Sequence, residues 1–204
     1  MRLLATYPPG SRYEVLPLPV RRFTVDEYHR MIALGFFAKD ERFELLEGWI
    51  VARAPMTPPH ATFAGIAHDL IESALPPGWH ARQRAGLTTT DSEPEPDVVV
   101  VRGESLTYSA RHPGPDDAAL VVEVADTTLG LVREVKGRLL AHAGVATYWV
   151  VNLTERRVEV YSDPSGPAAA PAFRQRVDFV AGQSVPLVIG GADVGPIPVA
   201  ELVP

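Results

Sequence analysis

The stretch from residue 118 to 143 constrains the fold more than any other part of the sequence. Its first part, 118–124, is an apolar run typical of a strand buried on both faces, and this run contains one acid, Glu123. A helix is predicted over 129–143, and at about 100° per residue Lys136 falls in the middle of its apolar stripe. The side of this helix expected to face water holds Arg133, Glu134, Gly137 and Arg138. Because a lysine that faces a core needs a carboxylate or an anion beside it, the pattern predicts a buried charge cluster.

The remaining elements predict an α/β fold with a mixed central sheet flanked by helices. A capping box, Thr24 with Glu27, opens a first helix that ends near Leu34, and Thr57 opens a second one. The strands predicted, in chain order, are a hairpin over 43–52, then 79–90, 97–101, 118–124, 146–151, 158–161, and a closing hairpin of 173–180 with 185–189.

Composition places these elements in one ordinary domain. We expect an N-terminal arm over 1–22, where four prolines stand, a core domain over 23–162, and a linker with a C-terminal hairpin over 163–204 packed on the same domain. The chain has no cysteine and a net charge of −6, so it offers no thiolate site and no general attraction to nucleic acid. No run has the length of a membrane span, and we expect a cytoplasmic protein.

Two buried acids can converge at the end of the predicted sheet. Asp97 opens the valine strand 97–101, and if this strand neighbours 118–124 its carboxylate meets that of Glu123. Such a pair needs a cation, and oxygen ligands suit Mg²⁺ or Mn²⁺. Lys136 would then orient or deprotonate an attacking water, or stabilise charge on a phosphate. This set indicates metal-assisted phosphodiester hydrolysis; the alternative is an ion pair of Lys136 with Glu123 that only stabilises the fold.

Six short motifs, in this order along the chain, resemble those of one family. They are Glu44-Leu45-x-x-Gly48, Met56 with Pro59-His60, Glu95-Pro96-Asp97-Val98, the run from Val121 to Thr127, Arg133-x-x-Lys136, and Ala143-Gly144-Val145 with Tyr148-Trp149-Val150-Val151. Over roughly residues 22–162 the chain resembles the Uma2 (DUF820) family of restriction-endonuclease-like proteins. The resemblance implies the PD-(D/E)XK nuclease fold for the domain 23–162.

The resemblance also implies a role for particular residues. It makes Asp97, Glu123 and Lys136 catalytic, with the lysine of the motif moved from the strand onto the following helix. It implies metal ligation by Asp97, Glu123, the main-chain carbonyl of Val124, and Glu44, an additional acid that many of these nucleases have. One departure is that Leu131-Val132 stand where relatives have Tyr-Asp.

Several further residues have two interpretations each. His60, Glu95 and Arg133 are candidates for the lining of the site, and for His60 we favour a structural role at the start of its helix. Asp126 is expected to cap the helix that follows it rather than to support the site. His80, Arg82 and Arg84 could contact phosphates along a groove or form a plain polar strand face.

The sequence therefore predicts an endonuclease that depends on Mg²⁺ or Mn²⁺ and acts on DNA, without a membrane partner. Motifs of nucleotide hydrolases, serine hydrolases, zinc proteases and dinucleotide-binding proteins are absent from the sequence. The alternative is a catalytically silent binding or assembly module that has kept the nuclease fold. A homo-oligomer is left open.

Overall fold

A six-stranded mixed β-sheet is the centre of the fold in the computed structural model, which describes residues 21–204. The helices are α1 (Val25–Ala33), α2 (Pro58–Ala74), a π-helix (Leu131–Lys136), α3 (Gly137–Ala143) and α4 (Val199–Leu202). The strands are β1 (Phe43–Leu46), β2 (Trp49–Ala52), β3 (Trp79–Gln83), β4 (Val98–Arg102), β5 (Ala118–Ala125), β6 (Thr147–Asn152), β7 (Arg157–Pro164), β8 (Phe173–Val180), β9 (Ser184–Ile189) and β10 (Ala192–Pro198).

The strands of the sheet follow the order β3-β4-β5-β6-β7-β8. Only β5 and β6 are parallel, and every other neighbouring pair is antiparallel. A parallel connection requires a crossover, and the π-helix with α3 supplies it. All eight residues of β5 are buried, as its apolar run predicts. The expectation of a mixed sheet flanked by helices is confirmed.

Two apolar cores lie on opposite faces of the sheet because side chains alternate along each strand. One core contains Val98 and Val122, together with α2, the β9–β10 hairpin and α4. The other contains Val99 and Val121, together with the π-helix and α3. A polar residue next to Val99 and Val121 on this second face therefore faces the helical crossover.

The β1–β2 hairpin and α1 form a small unit beside this sheet. The capping box is present: Thr24 Oγ1 accepts the Glu27 amide at 3.2 Å, and Glu27 Oε2 accepts the Thr24 amide at 3.0 Å. Tyr28 packs on Leu45 and donates its hydroxyl to the Phe43 carbonyl at 3.0 Å. The hairpin that contains Glu44 is thus fixed against α1.

Two strand predictions are wrong. The strand expected over 79–90 ends at Gln83, because Arg84 has a left-handed backbone with φ 47° and the ladder stops there. The segment 173–180 does not pair with 185–189; it extends the central sheet as β8, and the C-terminal hairpin is β9 with β10. Gly190 and Gly191, with φ of 59° and 85°, supply the two-residue turn of that hairpin.

The domain boundaries stay predictions. The expected arm over 1–22 lies outside the described residues except for its last two positions. Within residues 21–204, no helix combines the length and the apolar character needed to cross a membrane.

Candidate active site

Asp97 and Glu123 face each other across neighbouring strands. The antiparallel register pairs Val98 with Val122, and one further step along both strands sets Asp97 opposite Glu123. Both side chains are buried, with 2% and 5% of their surface exposed, on the face of the sheet that the crossover helix covers. The condition set in the sequence analysis, that these two strands are neighbours, is met.

The carboxylate of Asp97 is held by two donors. Its Oδ2 accepts the Val124 amide at 2.8 Å, just beyond the end of β4, where no ladder partner remains for that amide. The same oxygen lies 3.1 Å from His60 Nε2, on the first turn of α2. The hydrogen bond to Asp97 raises the pKa of His60, while burial opposes this rise.

Lys136 joins two buried carboxylates at the end of the π-helix. Its Nζ donates to Glu123 Oε1 at 2.7 Å and lies 3.1 Å from Glu44 Oε2. Burial alone would lower the pKa of this lysine, but the two carboxylates outweigh burial and hold the pKa above its ordinary value. Glu44 also accepts the Glu95 amide at 3.1 Å, which ties β1 to the segment before β4.

The pKa of Glu123 lies well above the ordinary value of a glutamate. Burial raises its pKa to about 7, the Lys136 ammonium opposes the rise, and the charges of Asp97 and Glu44 add to it. Perturbed groups of this kind are concentrated at functional sites. The cluster therefore contains three carboxyl groups but only one ammonium group to balance their negative charge.

A cleft of about 60 Å³ opens onto this cluster, enough for an ion with a few waters. The residues of the cluster that line it are Glu44, His60, Asp97, Glu123 and Lys136. Hydrogen bonds inside the described part of the chain use Oδ2 of Asp97 and Oε1 of Glu123, which leaves Asp97 Oδ1 and Glu123 Oε2 without a partner there.

These two oxygens are the donor set that the structure offers to a divalent cation, and carboxylate oxygen suits Mg²⁺ and Mn²⁺. Across residues 21–204, no three His, Asp or Glu side chains are already arranged as a metal centre. A bound ion would therefore have at least these two protein carboxylates and would complete its shell with water, substrate oxygen or a further protein oxygen.

The cleft also contains one residue that the sequence did not single out, Arg53, and one to which it gave another role, Asp126. Arg53, directly after β2, lines it and forms an ion pair with Glu95, which itself lies outside the lining. Asp126 does not cap a helix as predicted; its Oδ2 accepts the Thr57 hydroxyl at 2.8 Å across the cleft. Asp126 directly follows β5, which contains Glu123, and Arg53 directly follows β2, which pairs with the strand of Glu44. This position at the end of a strand is the sequence feature that could have predicted their place in the cleft.

The prediction that Arg133 lines the site is wrong. Its guanidinium points away from the cleft and donates Nε to Glu159 Oε2, on β7, at 2.9 Å. Gly137, expected to face water, is buried, and a Cβ added there would lie 3.8 Å from the ring of Tyr148. The error for Gly137 arises because 131–136 is a π-helix, in which each turn holds more residues than the α-helical spacing assumes.

The fold and the site define a class before any relative is considered: an α/β protein whose mixed sheet presents two opposed acids to a lysine on the crossover helix. A family model described as "Uma2: Putative restriction endonuclease" matches residues 25–190, and the chain belongs to this family. The resemblance drawn from the motifs is thereby confirmed.

A solved structure supports the fold. The protein is similar to a chain described as a putative nuclease belonging to DUF820 from Anabaena variabilis ATCC 29413, with a TM-score of 0.67 and 16% identity. The match covers 88% of this chain and 97% of the other. At that identity the likeness shows the fold alone. Among curated proteins, the comparison finds no match.

Proposed function

We propose that this protein is a metal-dependent endonuclease that hydrolyses phosphodiester bonds of DNA. One observation carries the proposal: Asp97 and Glu123 lie opposite each other at a cleft, with Lys136 Nζ 2.7 Å from Glu123. Membership of a family described as restriction-endonuclease-like agrees with it. A fold alone does not determine chemistry, so the chemistry is inferred from the side chains in the cleft.

Asp97 and Glu123 are the residues that would hold Mg²⁺ or Mn²⁺, with Glu44 and the Val124 carbonyl as further candidates. A divalent ion supplies Lewis acidity toward a phosphate oxygen. Lys136 contributes positive charge: because its carboxylate neighbours keep its pKa high, the amine stays protonated and stabilises negative charge that develops on the phosphate. A role as general base fits this environment less well. His60 keeps Asp97 Oδ2 occupied and so orients its other oxygen toward the cleft.

An exposed arginine beside the acids supports a nucleic-acid substrate. Arg84 directly follows β3, and its amide donates to the Asp97 carbonyl at 3.4 Å. Within residues 21–204 its guanidinium forms no ion pair with a carboxylate, and its exposed side chain is available to phosphate oxygens. Arg82 lies on the same face of β3, but its guanidinium stacks on the ring of Tyr108 at 5.1 Å.

The alternative, a silent binding or assembly module, also has a supporting observation. Lys136 is held by carboxylates on two sides, and Leu131-Val132 replace the polar residues of relatives, so the cleft has one apolar wall. In that case the ion pair only joins the crossover helix to the sheet. A cytoplasmic location and a homo-oligomer stay predictions from the sequence.

Calorimetry with Mn²⁺, together with cleavage of end-labelled duplex and single-stranded DNA, separates the two functions. The nuclease should bind Mn²⁺ and cleave, and Glu123→Gln should lose both properties. Glu93→Gln is the matched control, because Glu93 is an equally buried acid that pairs with His29 outside the cleft. Loss of cleavage in both variants, or no Mn²⁺ binding by the wild type, would contradict the proposal.

A further inference from the structure

A second buried charge cluster lies one strand beyond the cleft, around Glu159. This carboxylate has none of its surface exposed and both its oxygens are occupied. Its donors are Arg133 Nε at 2.9 Å and Arg133 Nη2, Asn152 Nδ2 at 2.9 Å, and the Tyr161 hydroxyl at 2.6 Å, and a second guanidinium, Arg176 Nη2 on β8, lies 3.5 Å from its Oε2. Burial opposes ionisation of Glu159, but these donors outweigh it and lower its pKa. No residue of this cluster lines the cleft.

The cluster holds the element that positions Lys136. Arg133 and Lys136 belong to the same six-residue π-helix, a rare geometry that occurs mostly as single turns within α-helices. Arg133 fixes the outer side of this turn to Glu159 on β7. Beneath it, the Val132 carbonyl accepts both the Gly137 amide and the Tyr148 hydroxyl, the latter at 3.0 Å. Lys136 then extends from the inner side of the turn to Glu123 and Glu44.

We propose that Glu159, acting through Arg133, is a positioning residue that sets the register of the π-helix and thereby the place of the Lys136 ammonium in the cleft. This inference rests on the proposed function where it concerns catalysis, but its geometric part does not. The bidentate contact from Arg133 fixes both distance and orientation, which a single lysine contact would not do.

A purely stabilising role explains the cluster less well. Burial of a carboxylate and a guanidinium costs much of the energy that their attraction returns, so a buried ion pair is weak evidence for added stability. The best-attested use of such groups is selection of one arrangement among several. Here the alternative arrangement is an ordinary α-helix that continues α3 toward its N-terminus. In that arrangement the residues before Gly137 would be rotated about the helix axis by one residue position.

The sequence provides a selective probe of the geometry, because it contains only two lysines, Lys39 and Lys136. Protein labelled with ¹³C at the lysine ε-carbon therefore has two side-chain signals. Lys39 is exposed and serves as the internal reference, whereas the signal of Lys136 reports the carboxylates that surround it. An amide spectrum of the same sample shows whether a variant is folded.

Three variants test the proposal. In Glu159→Gln and in Arg133→Lys, which keeps the charge but not the bidentate contact, the Lys136 signal should shift or broaden while the Lys39 signal stays in place. Arg133→Lys adds a third lysine signal, and the double variant Arg133→Lys/Lys136→Met identifies the Lys136 signal as the one that it lacks. Glu155→Gln is the control, because Glu155 contacts Arg133 only at the surface, at 3.3 Å, and both signals should match the wild type. An unchanged Lys136 signal in folded Glu159→Gln or Arg133→Lys would overturn the proposal. If Glu159→Gln does not fold, Arg133→Lys decides.

Cleavage kinetics form a separate readout. Misplacement of a reactive group by about 1 Å can cost on the order of a hundredfold in rate, so Arg133→Lys should lower kcat about tenfold or more with little change in KM. A rise in KM with unchanged kcat would overturn the positioning role. If the wild type does not cleave DNA, the proposed nuclease function fails, and the lysine spectra still decide whether Glu159 positions Lys136.

Discussion

Removal of the Lys136 ammonium, which contacts both Glu123 and Glu44, is the most informative change to the buried cluster. In Lys136→Met the two carboxylates remain buried without the ammonium that now lies 2.7 Å from one and 3.1 Å from the other. Loss of one partner of a buried ion pair costs about 3–5 kcal/mol of the free energy of unfolding. We expect a loss of this size at pH 8, because both acids are ionised in the unfolded chain at that pH and must be buried in the variant without a positive partner.

Protonation of Glu123 limits this loss at lower pH. Burial already raises its pKa to about 7, and without Lys136 the pKa rises further, so the folded variant keeps one proton that the unfolded chain releases. A raised pKa gives stability at low pH that is lost as the pH rises. One such proton corresponds to about 1.4 kcal/mol per pH unit, or about 3 kcal/mol between pH 5.5 and pH 8.

The double variant Glu123→Gln/Lys136→Met is the reference, because it lacks both the charge and the titrating group. Urea unfolding followed by circular dichroism, at pH 5.5 and pH 8, measures both variants. The free energy of unfolding of Lys136→Met should fall by about 3 kcal/mol relative to the double variant over this range. Equal pH dependence of the two variants, or wild-type stability of Lys136→Met at pH 8, would refute the reasoning.

Three further changes test other parts of the structure. The donors around Glu159 lower its pKa, so ionised Glu159 stabilises the fold at neutral pH and this contribution is lost as the pH falls. In urea unfolding measured from pH 5 downward, the free energy of unfolding of Glu159→Gln should therefore fall less than that of the wild type. Arg84→Ala should reduce the slope of log K against log salt for duplex DNA by about 0.9 in fluorescence anisotropy, and Arg156→Ala, at the β6–β7 turn, should not. Gly48→Ala should cost more than about 1 kcal/mol in thermal unfolding, because Gly48 has φ 77° and an added Cβ would lie 2.5 Å from Arg22 Cβ; full stability of this variant would contradict the turn geometry.

The central site was predictable because the sequence places charged residues at positions that are expected to be buried. Glu123 within an apolar strand and Lys136 within an apolar stripe each require a partner, and Asp97 opens the neighbouring strand. Periodicity was enough to expect a buried partner for Lys136, whereas the meeting of Asp97 with Glu123 depended on the pairing of their strands. The role of Glu44 could be predicted only from the family resemblance, because an acid in a hairpin is not at a position that the local pattern marks as buried.

The second cluster was not predictable in this way. Glu159 alternates with valines along β7 and therefore resembles a surface acid, yet β8 and the crossover helix cover it completely. Arg133 falls on the polar side of an α-helical wheel, and no local pattern shows that 131–136 forms a π-helix. Tertiary contacts with β7 and with Tyr148 decide that geometry, so it appears only once the strands are assembled.

Nicking of supercoiled plasmid in the presence of Mn²⁺ tests the central claim most directly, with the wild type beside Asp97→Asn. This substitution removes the charge while its amide side chain can still accept the Val124 amide and so preserve the end of β4. We predict nicking by the wild type that EDTA abolishes and that Asp97→Asn lacks. Equal nicking by the two proteins would place the activity outside this cleft, and no nicking by either would favour a silent module.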